Sequence, residues 1–131
     1  VLKRRRRRSK ESPRVTAIVK ALTLRGFWAW RANSGTQVIK ATVRTRRRVI
    51  KGAPAGTPDI LVVLPVRVVG AGRLPDGDWF AGSLCGLEVK TEEGKQRPSQ
   101  KLWQAKAKRH GVRYAVVRSV REALAAVEAW T

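Results

Sequence analysis

A chain of 131 residues with 43% apolar content suits a single globular domain with one core. Its charge is unusual: 29 Lys and Arg against 9 Asp and Glu give a formal net charge of +20. Such an excess drives association with polyanions through counterion release, so nucleic acid is the first partner to expect and an anionic membrane surface the second. No run approaches the ~20 apolar residues of a membrane helix, and the basic start runs into Glu11 and Ser12, so neither a membrane span nor a secretory leader is expected. The single cysteine, Cys85, excludes an internal disulfide, and with His110 the only histidine the usual zinc ligand set is missing. Any catalysis must rest on carboxylates and lysine.

Residues 1–10 carry the run Arg4 to Arg8 between Lys3 and Lys10. Charges this dense repel one another and bury nothing, so a disordered basic arm is expected, with one domain over 11–131. From Ser12 the pattern turns helical. Pro13 suits the first turn, Val15, Ile18, Val19 and Leu22 recur at helical spacing, and Gly26 is a stop. Phe27 to Arg31 reads as an aromatic-rich strand and Asn33-Ser34-Gly35 as a turn. Gln37 to Ile50, β-branched with interleaved arginines, predicts an exposed basic hairpin or strand.

After a loop over Gly52 to Gly56, Asp59 to Leu64 is a short apolar strand of the kind buried on both faces. Val66 to Ser83, with Gly70, Gly72, Pro75, Asp76, Gly77 and Gly82, reads as a loop or irregular hairpin. Leu84 to Thr91 is a strand, Glu92 to Arg97 a polar link, Pro98 to Arg109 a helix ended by His110-Gly111, and Val112 to Val117 a strand. Ser119 caps a last helix through Trp130, with Glu122 placed as in a capping box. The order predicts an α/β fold: one mixed β-sheet flanked by helices.

With so few carboxylates, their positions are informative. Glu92, Glu93, Glu122 and Glu128 fall in turns or on helix surfaces, and Asp76 and Asp78 in a Gly/Pro loop. Asp59 and Glu88 instead adjoin apolar strands, where carboxylates rarely go unless paired or bound to a metal. Glu88 and Lys90, two apart on a strand, point to the same face. If the Asp59 strand lies alongside, the three converge into a site of hard oxygen ligands suited to Mg²⁺ or Mn²⁺, with a lysine beside it: a phosphodiesterase arrangement. Taken alone, Glu88-Val89-Lys90 also reads as an ordinary cross-strand salt bridge, and Pro58-Asp59 as a turn into a strand.

Pro58-Asp59 followed by Glu88-Val89-Lys90 resembles the PD-(D/E)xK nuclease superfamily. Gly56-Thr57-Pro58-Asp59-Ile60, Leu87-Glu88-Val89-Lys90, Gly94-Lys95, Ser99-Gln100 and Trp103 look like its virus-type replication-repair nuclease (VRR-NUC) family. So do Trp30-Arg31, Asn33-Ser34-Gly35, and Gly111 before Tyr114. The similarity runs from about Glu11 to about Ser119. It implies an αβββαβ core, with Asp59, Glu88 and the backbone carbonyl of Val89 as ligands of Mg²⁺ or Mn²⁺. It further implies Lys90 as catalytic lysine, Glu11 as an additional acid reaching the metal directly or through water, and Gln100 as a polar helper. The stretch Pro65 to Ser83 is longer and richer in glycine than the minimal hairpin of that core.

The resemblance implies a metal-dependent, structure-selective DNA endonuclease of the Holliday-junction-resolvase type, serving phage or bacterial replication and repair. It implies a homodimer on branched DNA, located inside the cell, in the cytoplasm or nucleoid or in a phage-infected cell. Arg31, Asn33, Arg44, Arg46, Arg47, Arg48 and Lys95 are the candidate DNA contacts. The cluster at 44–48 also reads as a charged edge that blocks aggregation. Trp28, Trp30, Trp103 and Trp130 are assigned to the core or a dimer contact, Trp79 to base stacking, Cys85 to the core and His110 to a helix end. The rival readings are a non-catalytic basic nucleic-acid-binding module and a sequence-specific restriction endonuclease.

Overall fold

In the computed structural model, residues 11–32, 36–44, 46–68 and 79–131 are described, without the side chains at 36–39, 48–51 and 79. The basic arm, the Asn33-Ser34-Gly35 turn, Asp76, Asp78 and the Trp79 side chain lie outside the described residues.

Helix α1 (Glu11–Leu24) buries the stripe Val15, Ile18 and Leu22. It closes with bonds from Gly26 N to Thr23 O and from Phe27 N to Leu22 O, each 3.0 Å, which satisfy its last carbonyls. Strand β1 (Trp28–Arg31) follows at once. The basic stretch becomes a separate antiparallel pair, β2 (Thr36–Ile39) with β3 (Arg48–Lys51).

Strands β4 (Ile60–Val68) and β5 (Trp79–Val89) are antiparallel neighbours, in register from Ile60↔Leu87 to Val68↔Trp79. Much of the stretch expected to be a loop or irregular hairpin is thus regular ladder. Pro65, Val66, Arg67 and Val68 are all exposed, so this outer half of β4 carries no inside–outside alternation. Nor is the inner half equally buried on both faces: Ile60, Val62 and Leu64 are buried, whereas Leu61 and Val63 are half-buried.

Helix α2 (Pro98–Arg109) carries the chain back to β6 (Arg113–Val117), which pairs parallel to β5, as such a crossover requires. The main sheet has the order β1-β4-β5-β6 and is mixed. Helix α3 (Val120–Trp130) ends the chain. Ser119 Oγ accepts from Glu122 N, while the Glu122 carboxylate reaches back to Arg118 N. Three helices and this four-stranded sheet give a mixed α/β fold among the described residues.

The two faces of the sheet differ. Helices α1 and α3 cover one, and the core there joins Ile18, Leu22 and Val127 to Ile60, Val62, Leu87, Val89 and Val117. Burying each such side chain contributes about 1.5–3 kcal/mol, so most of the stability lies on this face. Cys85 is fully buried in it, and burial pushes its thiol above the usual range. The other face is only partly covered, by α2. Trp103 is half-buried, but Trp28 and Trp30 are 69% and 37% exposed. They are not core residues, because β1 is an edge strand whose other side, at Ala29, faces the core. Trp130 packs at the core margin, and His110 ends α2, its Nδ1 2.8 Å from Lys106 O.

At two glycines the backbone passes too close to a neighbour for any side chain. A Cβ on Gly86 would sit 2.6 Å from Pro58 Cγ, and one on Gly56, at φ +86°, would collide with the Ser99 carbonyl. The loop before β4 is therefore wedged between β5 and the start of α2. Gly86→Ala should destabilise the protein by about 1–3 kcal/mol through overpacking against a rigid ring, read from urea unfolding. A stability unchanged from wild type would show that the wedge is not tight.

Candidate metal centre

The β4–β5 register brings the acids together. Ile60 pairs with Leu87; one step further, Asp59 comes opposite Glu88 on the sheet face that carries α2. Asp59 Oδ2 accepts from Val89 N at 2.8 Å, and its backbone carbonyl accepts from Ala32 N at 2.8 Å. Just upstream, Thr57 N and Thr57 Oγ1 both donate to Pro54 O, at 3.1 and 2.6 Å. Asp59 is thus held from both sides of its strand.

Glu88 is 2% exposed and Lys90 5%. Glu88 Oε1 lies 3.3 Å from Lys90 Nζ and accepts from Gln100 Nε2 at 2.5 Å. The other end of the Gln100 amide accepts from Arg97 N at 2.7 Å, which fixes its orientation at the head of α2. Glu88 Oε2 has no hydrogen-bond partner and is the one buried side-chain oxygen or nitrogen so placed among the described residues. An orphaned buried carboxylate oxygen costs free energy unless a proton or a cation meets it.

The electrostatics agree. Burial, with the nearby Asp59 charge, raises the Glu88 carboxyl from 4.5 to about 7, although Lys90 pulls the other way. Tyr114 is pushed up to about 12, chiefly by burial, with a lowering contribution from Gln96 and raising ones from Glu88 and Asp59. Its hydroxyl therefore stays protonated near neutrality, held by Gln96 Nε2 at 3.1 Å, which also donates to Gln104 Oε1 at 3.0 Å.

The other anticipated residues divide. Glu11 heads α1, whose first turn lies at the same end of the sheet: Arg14 Nη1 donates to Lys90 O at 2.8 Å, and Ser12 Oγ accepts from Arg31 Nη1 at 3.1 Å. Among the described residues, no three His, Cys, Asp or Glu side chains form a group placed to hold a metal. Arg44, Arg46, Arg47 and Lys95 are exposed. Asn33 and the Arg48 side chain lie outside the described residues.

Two arginines were not anticipated from sequence. Arg14 and Arg118 pin the backbone just after the lysine, Arg118 donating to the carbonyls of Thr91 and, at 2.9 Å, Gly94. No local signal marks them among so many basic residues; their partners are distant in the chain.

The donor set suits a hard divalent cation. Two neighbouring carboxylates, one oxygen of the pair lacking a partner, suit Mg²⁺ or Mn²⁺, which use few protein ligands and keep several waters. Comparisons with protein families, with curated proteins and with solved structures find no match to this chain.

The raised Glu88 value fixes a sign. The folded state binds this proton more tightly than the unfolded chain does, so its stabilising effect is full below about pH 4.5 and is lost as pH rises through about 7. In EDTA, the melting temperature should fall across that window more in wild type than in Glu88→Gln. Parallel curves for the two proteins would refute the assignment.

Proposed function

We propose that this chain is a divalent-metal-dependent DNA endonuclease with a PD-(D/E)xK core of the VRR-NUC kind. The observation that carries this reading is the convergence of Asp59, Glu88, Lys90 and Gln100 at one end of the sheet, with the free oxygen of Glu88 among them. The net charge of +20 favours a polyanionic substrate.

Asp59, Glu88 and the Val89 carbonyl would hold Mg²⁺ or Mn²⁺. When bound, such an ion supplies Lewis acidity at a phosphate oxygen and at water. Lys90 places its ammonium against the scissile phosphate, orienting the attacking water and offsetting the charge that builds as water adds to phosphorus and the bridging P–O bond breaks. Gln100 sets the angle of the Glu88 carboxylate, and Val89 N–H that of Asp59. Glu11 supports the centre from the head of α1. Arg31, Asn33, the arginines at 44 and 46–48, and Lys95 contact backbone phosphates without reading sequence. The hairpin bearing the arginines leaves the sheet after Ala32 and returns before Asp59, so it is rooted at the site. The substrate is branched DNA of the Holliday-junction kind, and the working form is a homodimer inside the cell.

Labelled linear, flap and four-way DNA incubated with Mg²⁺, Mn²⁺ or EDTA provides the test. Cleavage should require the metal and favour branched substrates. Asp59→Ala and Lys90→Ala should each lower the rate by on the order of 10²–10⁴-fold, and Gln100→Ala by about 10–100-fold. Wild-type rates in Asp59→Ala and Lys90→Ala would overturn the reading, as would salt-sensitive binding with no cleavage in either metal. Mg²⁺ or Mn²⁺ should also raise the melting temperature of wild type above pH 7 and leave Asp59→Ala unmoved, because a ligand stabilises only the state that binds it.

A further inference from the structure

The face that carries the acids does not end with them. Trp30 pairs with Leu61 and Trp28 with Val63 across β1 and β4, and Leu61 and Val63 pair in turn with Gly86 and Leu84 on β5. These positions lie on the same face as the Asp59–Glu88 row. Trp30 stands two residues along the strand from that row, about 7 Å, and Trp28 about 14 Å. The two indoles face one another at 5.5 Å between ring centroids, tilted by 46°. Beyond them, Phe80 is 63% exposed and shares with Trp28, Val63 and Pro65 a groove of about 310 Å³.

We propose that Trp28 and Trp30 form a stacking platform for unpaired bases of the DNA strand whose phosphate is held at Asp59 and Glu88. This deepens the nuclease reading and rests on it. Two large aromatic side chains are exposed beside the site in a chain of net charge +20, so a polyanion with flat apolar bases complements both the charge and the surface. Bases in a duplex are already stacked and offer only their edges. An indole face therefore serves only nucleotides that have left the helix. The platform thereby selects DNA with unpaired nucleotides next to the scissile bond, such as flaps, splayed arms and open junction centres.

The test compares wild type with the double variants Trp28→Leu/Trp30→Leu, which keeps an apolar surface, and Trp28→Phe/Trp30→Phe, which keeps aromatic faces. Binding of labelled oligo-dT, a splayed duplex and a fully paired duplex of equal length is measured in EDTA, with circular dichroism and melting temperature to verify folding. The leucine variant should bind oligo-dT and the splayed duplex about tenfold or more weakly, with paired-duplex affinity unchanged, and the phenylalanine variant should recover most of the loss. Three results overturn the proposal. In one, the leucine variant keeps wild-type affinity for unpaired DNA. In another, it loses single-strand and duplex binding equally. In the third, wild type forms a dimer that the leucine variant dissociates while unpaired-DNA binding survives, which assigns the face to a second copy of the chain. The aromatic-dependent preference in EDTA without cleavage in Mg²⁺ or Mn²⁺ supports the platform and sinks the nuclease reading. Cleavage without that preference does the reverse.

Discussion

Glu88 occupies a position that a carboxylate reaches only with help. It is buried on a central strand, faces a second acid, and has one oxygen engaged by Lys90 and Gln100 and the other by nothing. Removing a charge from water costs several kcal/mol even after relaxation, and the raised carboxyl reflects that cost. The surroundings can be understood as the means of keeping Glu88 there. The lysine sits two residues away on the same strand, the amide comes from the first turn of the crossover helix, and Asp59 is tied to the next backbone N–H. A cation placed between the acids would relieve the strain that the protein alone leaves in place.

The fold separates this strain from the source of its stability. The apolar layer between the sheet and helices α1 and α3 contains neither Asp59 nor Glu88. Among the described residues, the opposite face bears the acids, the exposed tryptophans and a partial cover of α2 and the loop before β4. At the sheet's end Arg14 reaches over from α1 to the Lys90 carbonyl. A buried pair of acids with one unsatisfied oxygen is tolerable because the cohesive half of the molecule lies on the other side of the strands.

What could be read from the sequence follows from how local each signal is. The helices were legible from apolar spacing and capping: Ser119 does cap α3 through Glu122 N, and α2 runs over the expected Pro98 to Arg109. Asp59 and Glu88 stood out because a carboxylate beside an apolar strand is a local anomaly, and their neighbourhood with Lys90 is found in the fold. Gln100 was legible only through a resemblance; its bond to Glu88 spans the strand-to-helix connection. For the outer half of the β4–β5 ladder the hairpin alternative is the one found, and more regular than expected; the Gly, Pro and Asp residues between its two strands hid how far the pairing extends. Of the two places expected for Trp28 and Trp30, the core or a dimer contact, the core is excluded: tryptophan usually signals burial, and the edge position of β1 leaves both exposed. Arg14 and Arg118 left no trace at all, being two basic residues among many.

The register of β4 against β5 has a consequence for the acids. Side chains alternate strictly along a strand, so a slip of one residue between β4 and β5 would leave Asp59 facing α2 but bring Leu87 or Val89 opposite it in place of Glu88. The pairs from Pro65↔Gly82 to Val68↔Trp79 lie far from the acids and outside the buried layer, yet each must be broken for that slip to occur. What decides which two carboxylates meet is the buried half of the hairpin, where the same slip would turn Leu87 and Cys85 away from Ile60 and Val62; the exposed half extends the register that this layer fixes.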